Sequence, residues 1–262
     1  MLSFFGGDKE KARLLNASRN LYDCVYMFVS SSNTIFRMFN QFLKTELPVI
    51  TVRENLSIKE NFQLLTSALR EMQEFVESKD KEVQQKISLP LYSKIATPGL
   101  SMNDKIRLLK DIYVQYKGVF DNICGPISVV VMKHGNLPEI LETAVRDLSS
   151  SPVLSVRVGD LLMTHEEIAK ALPDFSPTSS SAAAPPEPRP RSRSMSIGGT
   201  TFSFTNFIRI TLRGQSSKKN AFEAAADCLE EAVKILKPYC ESFQRTVKTV
   251  EEYVTLIIDK LQ

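Results

Sequence analysis

Stepping alternately four and three residues along the chain from Phe222 lands on Ala226, Leu229, Val233, Leu236, Cys240, Phe243, Val247, Val250, Val254, Ile257 and Leu261, an apolar side chain at every step. A seven-residue repeat with two apolar positions lays one stripe along a slightly underwound α-helix, and other helices have to cover that stripe. Glu230 and Glu231 lie away from it, where the pattern expects a solvated face. A chain that carries such a segment is built to pack long helices.

Three further stretches repeat the pattern. From residue 9 to about 46, Leu14, Leu21, Val25, Phe28, Ile35, Phe39 and Phe42 fall on heptad spacing, with Ser18 and Ser32 as polar interruptions, and Leu47-Pro48 ends the helix. Ser57 followed by Glu60 is a capping-box pattern, and it opens a second helix with the stripe Ile58, Phe62, Leu65, Leu69, Met72 and Val76. Pro90 and Thr97-Pro98-Gly99 break that helix. A third runs from about 101 to 123 on Met102, Ile106, Leu109, Tyr113, Tyr116, Phe120 and Ile123. Beyond it, residues 137–148 suit a short helix, and Thr164 with Glu167 forms a second capping box. The run from Val153 to Val158 allows either a strand or an extended connection, and one strand cannot make a sheet alone. Alternation over 201–213 predicts an extended segment, with an amphipathic helix nearly as good a fit.

At 262 residues and 43% hydrophobic content the chain can bury one elongated core or two small ones. Cys24, Cys124, Cys228 and Cys240 contain no C-x-x-C pair and read as free thiols of a reducing compartment. No window reaches the run of about 18 uncharged apolar residues that a membrane span needs; residues 21–43 come nearest and read as a buried helix. The net charge of +3 is unevenly placed: residues 176–220 carry Arg189, Arg191, Arg193, Arg209, Arg213, Lys218 and Lys219 against Glu187 alone.

Chemistry-bearing motifs do not appear. The sequence has no G-x-x-x-x-G-K loop, no H-E-x-x-H and no G-x-S-x-G. Its two histidines, His134 and His165, stand without a recognisable catalytic context. The expectation is therefore a protein that is not an enzyme and takes no cofactor and no metal.

Two segments offer interactions instead. Residues 176–200 are rich in Ser, Pro, Ala and Arg, which cannot bury enough apolar surface to offset chain ordering, so a disordered linker is expected. Within it Ser196 follows arginines at three and five residues before, and Ser194 follows arginines at one, three and five. Both resemble substrates of basophilic protein kinases, and phosphate would cancel local positive charge. At the other end, Leu2, Phe4 and Phe5 precede the Gly6-Gly7 pair and then Lys9, Lys11 and Arg13. An apolar tail of residues 1–8 followed by cations suits insertion at an anionic lipid surface, with Arg189, Arg191 and Arg193 adding to the attraction.

The stripes over residues 9–43, 57–123 and 222–261, the last with Pro238 inside it, resemble the BAR-domain superfamily, whose members dimerise as kinked antiparallel coiled coils on curved membranes. That resemblance implies a homodimer and a basic tip, for which Lys79, Lys81, Lys86 and Lys94 are candidates. The long 126–220 insertion and the acidic last helix depart from the pattern. The sequence thus leads to an all-α, elongated antiparallel helical bundle or coiled coil over residues 9–175 and 201–262, interrupted by the disordered basic linker. Its expected role is a cytoplasmic, peripheral-membrane scaffold in trafficking or cortical organisation, regulated by linker phosphorylation. A protein-binding coiled-coil adaptor without lipid affinity, pairing with partner helical proteins, is the alternative. Nucleic acid is not an expected partner, because the basic residues lack interleaved aromatics outside Phe202 to Arg213.

Overall fold

The computed structural model describes residues 4–86, 93–95, 97–115, 127, 136–164, 166–167, 203–213 and 221–261. They form an all-α protein: α1 (Phe4–Phe42), α2 (Ile58–Lys86), α3 (Met102–Gln115), α4 (Leu137–Asp147), two 3-10 turns (Pro152–Ser155 and Val158–Leu162), α5 (Phe204–Arg213) and α6 (Ala221–Leu261). The chain divides into two compact units, and both α1 and α6 contribute residues to each. The linker at 176–200, Cys124, His134, His165 and the continuation of the third helix beyond Gln115 lie outside the described residues.

One unit comprises Met1–Tyr22, Arg53–Lys59 and Ser150–Val233. Residues 54–58 run beside 156–159: the Ile58 amide donates to the Val156 carbonyl (3.0 Å), that of Val158 to Leu56 (2.9 Å) and that of Gly159 to Glu54 (2.9 Å). A Cβ at Gly159 would stand 3.0 Å from both the Cβ and the carbonyl oxygen of Glu54, so only glycine permits this approach without a shift. The run from Val153 to Val158 is accordingly no strand: it belongs to two consecutive 3-10 turns, and Arg157 between them makes an isolated antiparallel bridge to Ser57. Residues 204–213 are helical, correcting the extended expectation. Phe204, Phe207 and Ile208 are buried at helical spacing, and the Asp160 carboxylate accepts the Phe204 amide (3.1 Å) at the helix start. The capping box at Thr164 is formed, with the Thr164 amide donating to Glu167 Oε2 (2.7 Å) and the Glu167 amide to Thr164 Oγ1 (3.4 Å).

The other unit comprises Asp23–Val52, Glu60–Ser149 and Lys234–Gln262. Its core centres on Phe28 of α1, which meets Phe62 of α2 edge-on (centroids 5.6 Å apart) and Phe243 of α6 edge-on (5.2 Å). Phe36, Phe39, Leu65, Leu69, Met72 and Val76 extend it along α1 and α2. From α6 come Leu236, Cys240, Val247, Val250, Val254 and Ile257, all seam positions. Ile106, Leu109 and Ile112 are buried on α3, and Leu137, Leu141 and Ala144 on α4. Ser101 accepts the Asp104 amide (3.2 Å) at the start of α3.

Helix α1 differs from expectation at both ends. It begins at Phe4, so Gly6 and Gly7 lie within the helix, where the sequence suggested an apolar tail of residues 1–8. Each glycine costs about 0.5–1 kcal/mol there, but an existing helix gains a hydrogen bond per added residue. It ends at Phe42, before the expected Leu47-Pro48, because Lys44 adopts a left-handed conformation (φ 55°).

Two asparagines on α1 then hold the returning chain. Asn40 donates through Nδ2 to the Leu47 carbonyl (2.7 Å) and accepts the Leu47 amide at Oδ1 (2.8 Å). Asn33 makes the same pair with Ile50, at 2.6 and 2.9 Å. Seven helical residues rise about 10.5 Å and three extended residues span about 10 Å, so the two spacings match. Replacing Asn33 or Asn40 by Ala should lower stability by about 1–3 kcal/mol in urea unfolding, since each change strands two backbone groups of the return segment. A loss below about 0.5 kcal/mol at both positions would mean that buried Leu43 and Leu47 alone hold the segment.

Candidate functional site

The candidate membrane contact begins on the first turns of α1, and the structure places its cations individually. Leu2 lies outside the described residues, and Phe4 and Phe5 are described only as helical backbone. Lys9 is exposed. Lys11 holds its ammonium over the ring of Phe222, 5.8 Å from the centroid. Arg13 is clamped between two carboxylates of α6: its Nη2 donates to Asp227 Oδ1 (2.7 Å), while Nε reaches Glu230 Oε1 (2.8 Å) and Nη2 reaches Glu230 Oε2. The Glu230 contact is the two-pronged guanidinium–carboxylate geometry that fixes orientation as well as charge.

The local fold explains the clamp. Leu14 and Ala17 are buried on α1, and Ala225, Ala226 and Leu229 are buried on α6, so Arg13, Asp227 and Glu230 sit beside the buried stripes. Asp227 and Glu230 are three apart and share one helix face. The small side chains of Ala224, Ala225 and Ala226 leave room for a neighbouring helix. The hydrogen bonds that Arg13 donates, first to Glu230 and then to Asp227, hold its guanidinium above its already high value, so it remains cationic wherever the protein is folded. Glu230, expected on a purely solvated face, is a partner of Arg13. Asp227 was not singled out by its sequence either; charges flanking a heptad stripe are the signal that marks such pairs.

The other expected positions divide cleanly. Arg189, Arg191, Arg193, Ser194 and Ser196 lie outside the described residues. Of the lysines proposed for a basic tip, Lys79 pairs with Glu82 (3.1 Å) and lies over the Phe75 ring, while Lys81 and Lys94 are exposed. Cys24, Cys228 and Cys240 are free thiols, the first and last buried. Burial pushes the Cys228 thiol up, a nearby Ser151 hydroxyl partly opposing it. Among the described residues no helix is long and apolar enough to cross a membrane, and no group of three or more His, Cys, Asp or Glu is placed to hold a metal.

This is a helical-bundle protein whose polar side chains at the α1–α6 contact serve helix pairing. The chain belongs to the family described as "Protein of unknown function (DUF4533)", whose model matches residues 10–251. It is similar to "Uncharacterized protein C12orf60" of Homo sapiens, 26% identical over 249 residues and covering 95% of each chain. The corresponding homologs of Mus musculus (25% over 244 residues, 93% of each chain) and Rattus norvegicus (25% over 248 residues, 93% of each) match along nearly the same length. No solved structure matches the chain.

Arg13, Asp227 and Glu230 are 40%, 31% and 45% exposed, which limits what the clamp contributes. Arg13→Gln should cost about 0.5–1 kcal/mol in thermal or urea unfolding at low salt, and the cost should shrink in about 1 M salt. A salt-independent loss of several kcal/mol would instead show that the arginine stem, not its charge, matters.

Proposed function

We propose that the protein is a non-enzymatic scaffold or adaptor that binds other proteins through the outer faces of its helices. The observation that carries this reading is the Arg13 clamp, which commits a principal cation of the N-terminal segment to the fold. Other polar groups inside the bundle support it in the same way. Ser18 donates to the Leu161 carbonyl (2.8 Å) and Ser32 to that of Phe28 (2.8 Å), while Asn33 and Asn40 hold the return segment. Side chains spent on folding are unavailable for proton transfer or nucleophilic attack. Most of the described seam of α6 is buried by the chain's own packing, so a partner helix would engage another surface than the one its heptads first suggest.

The second reading, peripheral attachment to anionic membrane from the cytoplasm, is favoured by the exposure of Lys9 at the start of α1. Its attraction would come from Lys9 and from Arg189, Arg191 and Arg193, with Leu2, Phe4 and Phe5 as the apolar contact. Phosphorylation of Ser194 and Ser196 by a basophilic kinase would weaken it. The BAR-domain likeness of the helical stripes, with its implied homodimer, belongs to this reading.

Co-sedimentation of the full chain with phosphatidylcholine vesicles, with and without phosphatidylserine, separates the two. The adaptor reading predicts that the protein stays in the supernatant with both at low salt. Pelleting with the anionic vesicles alone, abolished when Arg189, Arg191 and Arg193 are changed to Gln, would overturn it in favour of membrane attachment.

A further inference from the structure

Two of the free thiols lie together in the core of the unit that holds Phe28. Cys24 of α1 and Cys240 of α6 are 4% and 1% exposed. Cys240 Sγ donates to the Cys24 backbone carbonyl at 3.7 Å. Cys240 occupies a seam position between Leu236 and Phe243, so its sulfur lies against the backbone of Cys24 where two long helices pack. Pro238, two residues before Cys240 inside α6, has no N–H to give to the preceding turn, which lowers the cost of opening the helix locally.

We propose that Cys24 and Cys240 are an oxidative modification site, at which a small peroxide converts the two thiols to an intramolecular disulfide joining α1 to α6. Peroxide suits the site because it is hardly larger than water and reaches a packed interior after only local opening. The single S–H of Cys240 is committed to the Cys24 carbonyl, which keeps Cys240 in its thiol form. Cys24 is therefore the attacking sulfur. Its thiolate displaces hydroxide from hydrogen peroxide as the O–O bond breaks; the hydroxide takes a proton and leaves as water, and Cys24 becomes a sulfenic acid. The Cys240 sulfur then attacks Cys24 Sγ, the S–O bond breaks, and the proton lost by Cys240 leaves with the departing oxygen as a second water. Two thiols and one peroxide thus give one disulfide and two waters, with two electrons passing from sulfur to oxygen. Closing the bond brings the sulfurs to about 2.05 Å, which rotation about the two Cα–Cβ bonds and small helix shifts must supply.

The test treats the full chain with hydrogen peroxide in native buffer, quenches in acid, blocks remaining thiols and maps tryptic peptides without reduction. Cys24, Cys228 and Cys240 fall on separate tryptic peptides. The expected product is the Cys24 peptide joined to the Cys240 peptide, lighter than their sum by two hydrogens and separated by dithiothreitol. The thermal midpoint should rise on oxidation and return on reduction. Cys240→Ser should stop the reaction at the sulfenic acid, so that dimedone labels Cys24 in the variant and not in the wild type. Full alkylation of Cys24 and Cys240 at a peroxide dose that already oxidises Cys228, equal dimedone labelling of wild type and variant, or a predominant linkage to another cysteine would each overturn the proposal.

Discussion

The contact on which the Phe28 unit depends is the pair of edge-to-face contacts that Phe28 makes with Phe62 and Phe243. Three helices remote in sequence, α1, α2 and α6, meet at this one side chain. A positive ring edge directed at a negative ring face makes such a contact directional where aliphatic packing is not. The register of each helix against the other two is therefore set at this point. The seam residues of α6 then fall inward along its length, as Val247, Val250, Val254 and Ile257 do. Full burial of three phenylalanines also places a large share of the apolar driving force at one point, on the order of 1.5–3 kcal/mol for each ring.

In each unit the polar groups are arranged by local necessity. Ser18 and Ser32 stand at stripe positions where an apolar residue would be expected, and each makes a hydrogen bond to a backbone carbonyl. Asn33 and Asn40 substitute side-chain amides for the neighbouring strand that residues 43–52 lack. At the surface of the Phe28 unit, Arg70 reaches both carboxylate oxygens of Glu142 (2.8 and 2.7 Å) between α2 and α4, and Tyr239 donates to Asp147 between α6 and α4. These exposed pairs contribute orientation more than stability.

The long helices were legible because their signal is periodic and repeated. The α2 stripe and nine of the twelve α6 seam positions are buried as their spacing implies; Phe222 and Val233 are half-buried, and the Leu261 side chain is not described. What escaped was decided by single conformations or by partners far along the chain. The end of α1 turns on one left-handed residue, Lys44, which nothing in its immediate sequence advertises. Residues 204–213 alternate well enough to mimic a strand, and burial of Phe204, Phe207 and Ile208 settled the matter in favour of the helix. The expected cationic patch was legible as a list of charges, but not as a site. Whether Arg13 serves a lipid or the fold depends on Asp227 and Glu230, more than two hundred residues away.

The most direct test of this account is a double-mutant cycle in urea unfolding between Phe28→Leu and Phe243→Leu. If the edge-to-face contact locks α1 to α6, the two losses should fall short of additivity by about 0.5–1.5 kcal/mol. Losses that add to within about 0.3 kcal/mol would contradict it, leaving Phe28 as one apolar residue among many.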